Sequence, residues 1–141
     1  MPRFLRPQCS RTRRSSRRGA TVVEFALVAP IFFLFLLTSF EFGWLNVMRH
    51  TADNAAYEAA RNAMVPGATA AEAVAKANSI LKIVGARDAK VTVTPSVLTT
   101  STKEVTVAVD LPMNRNALIV PHFTKDRTLH SSSTLRTERA E

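Results

Sequence analysis

The hydrophobic pattern changes character several times along the chain. Residues 25–40, FALVAPIFFLFLLTSF, carry no charge, and beyond Glu41 the apolar run resumes as FGWLNVM up to Met48. Counted from Val22 this is 27 residues, interrupted by Glu24 and Glu41. As a helix it is about 40 Å long, enough to cross a bilayer with its interfaces. A soluble domain of about 90 residues has little use for IFFLFLL in so small a core. Pro30 falls inside the run; membrane helices tolerate such an interruption when the freed backbone group finds another partner. Gly43 marks close helix contact, a flexible point, or simply a glycine in the span.

From Thr51 to Met64, TADNAAYEAARNAM is rich in helix formers and extends the first helix outward. Ala52, Ala55, Ala56, Ala59 and Ala60 form a small-residue stripe, with Tyr57 and Met64 able to pack nearby and Asp53, Glu58 and Arg61 facing water. The stripe packs either on the chain's own sheet, the expected outcome, or on a neighbouring subunit. VPGAT then breaks the helix at Pro66 and Gly67. Thr69 caps a second helix, with Glu72 three residues on as in a capping box. Over Thr69 to Val84, one face collects Ala73, Ala77, Ile80, Leu81 and Val84, and Gly85 ends the helix.

After Gly85 the period falls to two. AKVTVTPSV places Val91 and Val93 on one face, and KEVTVAVDLP does the same with Val105, Val107, Val109 and Leu111. The polar LTTST joins these two strands as a hairpin, and Pro95 and Pro112 limit them. NRNALIVPHF reads either as an apolar loop or as a packing segment. A third, weaker strand pattern covers Thr128 to Thr137. The fold class expected is α+β: a single N-terminal transmembrane helix extending into an alanine-rich helix, then a small helix-on-antiparallel-sheet domain outside the membrane.

Charge orients this arrangement. The chain has 141 residues and a net charge of +8, but seven of its arginines precede Glu24 without a single acid. After Arg18 the twelve Lys/Arg and eleven Asp/Glu nearly balance. A basic tail suits nucleic acid as well as membranes, but this one abuts an apolar run, so nucleic acid is not the expected partner. The positive-inside rule puts the N-terminus in the cytoplasm and the bulk of the chain outside, with Trp44 near the outer interface. The division expected is a basic cytoplasmic leader over 1–19, a transmembrane helix over 20–48 and an extracytoplasmic domain over 49–141. The one cysteine, Cys9, excludes an internal disulfide framework.

The two glutamates need a reason. A carboxylate at the centre of a membrane helix costs on the order of 3 kcal/mol. Glu41 can reach the outer interface or be protonated. Glu24 lies near the cytoplasmic edge, four residues after Ala20, so the two share a helix face. Cleavage between Gly19 and Ala20 would remove the arginines and create an α-amine on Ala20. That amine can pair with Glu24 of its own chain or of a neighbour, lowering the cost of charge in lipid.

Basic leader, Gly19, four residues, Glu24 and then an apolar helix resemble the class III signal of type IV pilins. The resemblance narrows over residues 17–61. Gly19, the stretch Val23–Leu27, Pro30, Glu41–Gly43 and the alanine-rich helix from Ala55 to Arg61 look like the N-terminal part of TadE-like proteins. These are pilin-like minor components of tight-adherence (Flp-type) pilus systems. VTVAVDLP and LHSSSTLRTE also fit the family's layout. Where many type IV pilins have phenylalanine after the cut, this chain has Ala20.

The resemblance implies a single-pass protein of the bacterial inner membrane, N-terminus in the cytoplasm and C-terminal domain periplasmic, with residence in the surface pilus as one destination. It implies processing at Gly19 and Ala20, assembly through Glu24, and Pro30, Glu41 and Gly43 as candidates for helix packing. The partners implied are a prepilin peptidase, other pilin-like subunits and inner-membrane platform proteins. The alternative is an uncleaved, membrane-anchored assembly factor that positions other pilus or secretion components.

No enzyme chemistry is expected. His50, His122 and His130 are dispersed and lack paired metal-ligand spacing. Ser131–Ser133 is a polar tract rather than a nucleophile elbow, Asp110 reads as a strand-end carboxylate, and no glycine-rich phosphate loop is present. Neither a cofactor nor a metal is implied.

Overall fold

The computed structural model describes residues 16–99, 101–117 and 126–136. The leader arginines before Ser16, Cys9, His122 and the apolar end of NRNALIVPHF lie outside the described residues.

Helix α1 spans Ser16–Ala63 and includes Pro30. It thus joins the apolar run and the alanine-rich segment into one element, and it ends with Arg61 in its last turn, where a cation suits the helix dipole. The chain divides into two compact units, residues up to Leu37 and residues from Thr38 onward.

The first unit, as far as it is described, is the apolar part of α1. It is long and apolar enough to cross a membrane, and its most apolar 18-residue window has no buried residue. Phe25, Ile31 and Phe35 are each 70–72% exposed. Phe32 and Phe33 meet edge to face, ring centroids 5.8 Å apart.

In the second unit α1 is followed by α2 (Ala70–Ile83), β1 (Lys90–Thr94), β2 (Glu104–Pro112), a 3-10 turn (Met113–Arg115) and β3 (Thr128–Arg136). The α+β layout expected from the pattern is the one observed. Thr69 and Glu72 form the full capping box: Glu72 N donates to Thr69 Oγ1 at 3.3 Å, and Thr69 N donates to Glu72 Oε2 at 3.0 Å. At the other end of α2, Gly85 takes φ +67°. Its amide donates to the Lys82 carbonyl and that of Ala86 to the Leu81 carbonyl, at 3.0 and 3.1 Å. This pair of bonds defines the Schellman motif, whose left-handed residue is best filled by glycine.

The sheet is antiparallel in the order β1-β2-β3. Lys90 pairs with Asp110 and Thr94 with Thr106 on one side; Glu104 pairs with Arg136 and Pro112 with Thr128 on the other. β2 is central, and its Val105, Val107, Val109 and Leu111 are buried on one face. That face meets the alanine stripe of α1, whose Ala52, Ala55, Ala56, Ala59, Ala60 and Ala63 are buried in one cluster with Val105, Val107 and Val109. Ala73, Ala77 and Leu81 of α2 complete the cluster. The 3-1-3-1-3 spacing of the α1 alanines holds them on one helix face, and a face of methyl groups leaves the β2 valines to fill the space. The stripe therefore packs on the chain's own sheet.

Some details depart from the pattern. Tyr57 points outward and is 48% exposed, while Met64 packs against the core as expected. Ile80 and Val84 of the α2 face are only half-buried. Trp44, Leu45 and Met48, which hydropathy groups with the span, pack with Leu111 and Met113 of the domain. Asp53 is exposed, yet its Oδ1 accepts a 2.6 Å bond from the hydroxyl of buried Ser131 on β3.

Overpacking the methyl face has a defined cost. Ala56→Leu is expected to lower stability by about 1–3 kcal/mol, whereas Tyr57→Ala, one residue on, should change it by less than about 0.5 kcal/mol. Thermal unfolding of the full chain in detergent, followed by circular dichroism, measures both.

Candidate functional site: the glycine–glutamate segment and the domain base

Gly19 and Ala20 lie in the first turns of α1 and are exposed. Glycine in a helix interior costs about 1 kcal/mol relative to alanine, so its presence asks for a local cause. The described residues supply none. A Cβ added at Gly19 would meet nothing within 4 Å, and its φ is not left-handed. Among the described residues, neither packing nor backbone conformation requires a glycine here.

Glu24 is exposed, four residues from Ala20 on the same helix face, as the spacing requires. Its surroundings are apolar: Val23, Phe25, Leu27 and Val28 are between 59% and 70% exposed. No side chain of the described chain is bonded to its carboxylate. Pro30 is likewise exposed. Glu41 and Gly43 belong to the second unit. Glu41 is half-buried, and Gly43 is exposed with nothing within 4 Å of an added Cβ. Of the candidate residues, Gly19, Ala20, Glu24, Pro30 and Gly43 are thus exposed and Glu41 is half-buried.

The base of the domain, where α1 enters it, is organised by a residue the sequence did not single out. Asn116 is only 4% exposed. Its Oδ1 accepts from the Arg87 amide at 2.7 Å, and its Nδ2 donates to the carbonyls of Arg87 at 2.8 Å and Pro112 at 2.7 Å. Its own carbonyl accepts the indole N–H of Trp44 at 2.6 Å. One asparagine thus ties α1, the segment after α2 and the end of β2, through part-buried side-chain bonds. Close by, Asn114 and Asp126 exchange two bonds, Asn114 Nδ2 to Asp126 Oδ1 at 2.8 Å and Asp126 N to Asn114 Oδ1 at 2.6 Å. Of NRNALIVPHF, the described residues complete the 3-10 turn and supply the buried Asn116 that follows it. Asparagine is common in loops, and only the tertiary partners distinguish this one.

The sheet's outer face carries the remaining polar groups. His130 Nδ1 and Asp110 Oδ1 stand 2.6 Å apart, with Lys90 next in register on β1. Thr106 and Thr134 hydroxyls meet at 2.8 Å, and Arg136 bonds Glu104 at 3.0 Å. These are cross-strand pairs of the kind that fix register. Among the described residues no group of three or more His, Cys, Asp or Glu is placed to hold a metal ion.

Residues 19–61 match the family model described as TadE-like protein. The matched segment opens on Gly19, contains Glu24, Pro30 and Glu41–Gly43, and closes on Arg61 at the end of the alanine stripe. No curated protein and no solved structure matches the chain.

Asn116→Ala would leave the Arg87 amide and two carbonyls without their bonds, and is expected to cost about 1–3 kcal/mol. The chain has a single tryptophan, so its indole N–H resonance reports the site directly. It should shift in Asn116→Ala as the loop relaxes and remain in place in the exposed control Arg136→Gln.

Proposed function

We propose that this chain is a pilin-like membrane protein for assembly of tight-adherence pili, cut by a prepilin peptidase between Gly19 and Ala20. The observation that carries the reading is Gly19 itself. A glycine that its own fold does not require stands at the switch from arginines to apolar helix, five residues before a carboxylate with no partner in the described chain. A protease that admits only a small residue at the cut supplies the missing requirement for glycine, and a neighbouring subunit supplies the missing partner for Glu24. The match of residues 19–61 to the TadE-like family supports the same role.

The mechanism follows from the chain's own residues. The arginines hold the leader on the cytoplasmic side, and the uncovered ring of Phe, Leu and Ile inserts in the bilayer. Trp44 docks on the domain, so the span runs from about Val22 to Gly43, roughly 33 Å of helix at 1.5 Å per residue, close to the hydrocarbon thickness. Cleavage exposes the Ala20 amine. As helices pack, that amine or its counterpart on a neighbour meets Glu24, and the pairing offsets the cost of a carboxylate in lipid. The domain beyond the membrane is a binding module rather than an enzyme, and other pilin-like subunits and platform proteins are its partners.

The uncleaved anchored assembly factor is the second reading, and one observation favours it: the Gly19–Ala20 bond lies inside a helix that starts at Ser16. Cutting it requires the first turn to fray, which helix ends do. Amino-terminal sequencing of membrane and sheared-surface fractions separates the two. A mature Ala20 terminus in sheared material is the result expected; an intact leader found only in membranes favours the anchor.

Two substitutions sharpen this. Gly19→Arg should abolish the mature form on an immunoblot while leaving the domain folded, since a Cβ added there meets nothing within 4 Å; normal processing would rule out this cut site. Glu24→Leu should insert as well as the parent or better, removing a cost of at most about 3 kcal/mol, yet fail to join pili; normal piliation in that variant would make Glu24 a bystander.

A further inference from the structure

The base of the domain holds a groove of about 370 Å3 that the reading above does not use. Its apolar lining comes from Phe42 and Leu45 of α1, Met113 of the 3-10 turn and Leu129 of β3. Two arginines, Arg49 of α1 and Arg127 just before β3, also line it. Arg61, Arg115 and Arg136 each face a carboxylate, those of Glu58, Asp88 and Glu104. Arg49 and Arg127 are exposed and have no such partner among the described residues. Two uncompensated guanidiniums thus converge on one apolar groove, and a single occupant that satisfies both is anionic at one end and apolar at the other.

The groove's place on the chain narrows this. Arg49 is the first cation after the apolar run, and Phe42, 51% exposed, is itself one of that run's residues. The groove is therefore continuous with the surface that the membrane reading puts in lipid, at the level where hydrocarbon gives way to headgroups. Inorganic phosphate would satisfy the arginines and leave the apolar lining wet. A zwitterionic lipid would bring an ammonium group towards two guanidiniums.

We propose that this groove binds an anionic phospholipid of the outer leaflet, its phosphate held by Arg49 and Arg127 and the start of its acyl chain against Phe42, Leu45 and Leu129. Guanidinium groups suit phosphate because their donors match its oxygens in pairs. The lipid would fasten the base of the domain at a fixed height on the bilayer. The proposal rests on the membrane reading of α1 but not on cleavage at Gly19.

The test uses the full chain in mild detergent, offered phosphatidylglycerol or phosphatidylcholine of the same acyl chains, with retained lipid weighed by native mass spectrometry. Phosphatidylglycerol should be retained preferentially, one per chain, and excess inorganic phosphate should not displace it. The double variant R49Q/R127Q should lower its retention roughly tenfold, from about 1 kcal/mol or somewhat less per guanidinium lost. Lys103→Gln, in the connection between β1 and β2, should leave retention unchanged. Both arginines are exposed, so the double variant should unfold at the parent's temperature, which circular dichroism checks.

Equal retention of the two lipids, displacement by inorganic phosphate, or indifference to R49Q/R127Q would each overturn the proposal. Alkaline extraction of membranes separates its failure from that of the membrane reading. A chain released by carbonate sinks both, whereas a chain that stays in the membrane but binds lipid without regard to the arginines sinks the groove alone.

Discussion

One helix has to be covered in two different ways, and the rest of the protein follows from that constraint. From Ala52 to Ala63 the cover is the chain's own sheet, where buried methyl groups meet the valines of β2. Before Trp44 the phenylalanine, isoleucine and valine side chains and most of the leucines are exposed. Each such side chain left in water forgoes about 1.5–3 kcal/mol relative to burial. A sum of that size over a dozen residues exceeds the whole stability of a small domain, so lipid or neighbouring helices must provide the second cover. The small, polar-faced domain can remain in water because its alanine stripe is already satisfied.

Within the domain, the elements with local physical causes were legible in the sequence. The capping box at Thr69 and Glu72, the glycine that ends α2 and the alternation of Val105, Val107, Val109 and Leu111 each state their structure in a few adjacent residues. The third strand was harder to read, because TLHSSSTLR puts serines where an inward-facing strand usually has valines. Its inner position at Ser131 is tolerated because Asp53 of α1 accepts the hydroxyl's hydrogen bond. Asn116 was not legible at all. Its importance comes from Trp44, Arg87 and Pro112, up to 72 residues away in the chain, and no local pattern encodes that convergence.

The candidate site was legible for the opposite reason. Gly19 and Glu24 are informative because they break local rules: a glycine inside a helix, a carboxylate on an apolar surface. The structure sharpens both, since neither has a cause within the described fold. Trp44 carries a related lesson. Hydropathy groups it with the membrane run, but its indole N–H is committed to the Asn116 carbonyl, so the last turn of the apolar run serves the domain. The same region contributes Leu45 and Arg49 to the groove at the domain base, where the apolar and the charged parts of the chain come together.

The most direct measurement of the double covering is the solvent around single spin labels on the full chain reconstituted in lipid bilayers, with Cys9 replaced. Labels at Leu27, Phe33 and Leu37 should collide readily with oxygen, which dissolves in hydrocarbon, and rarely with a water-soluble nickel complex. A label at Tyr57 should show the reverse preference. Ready access of the nickel complex to Phe33 would mean that the apolar half of the helix lies outside the bilayer, and the account would fail.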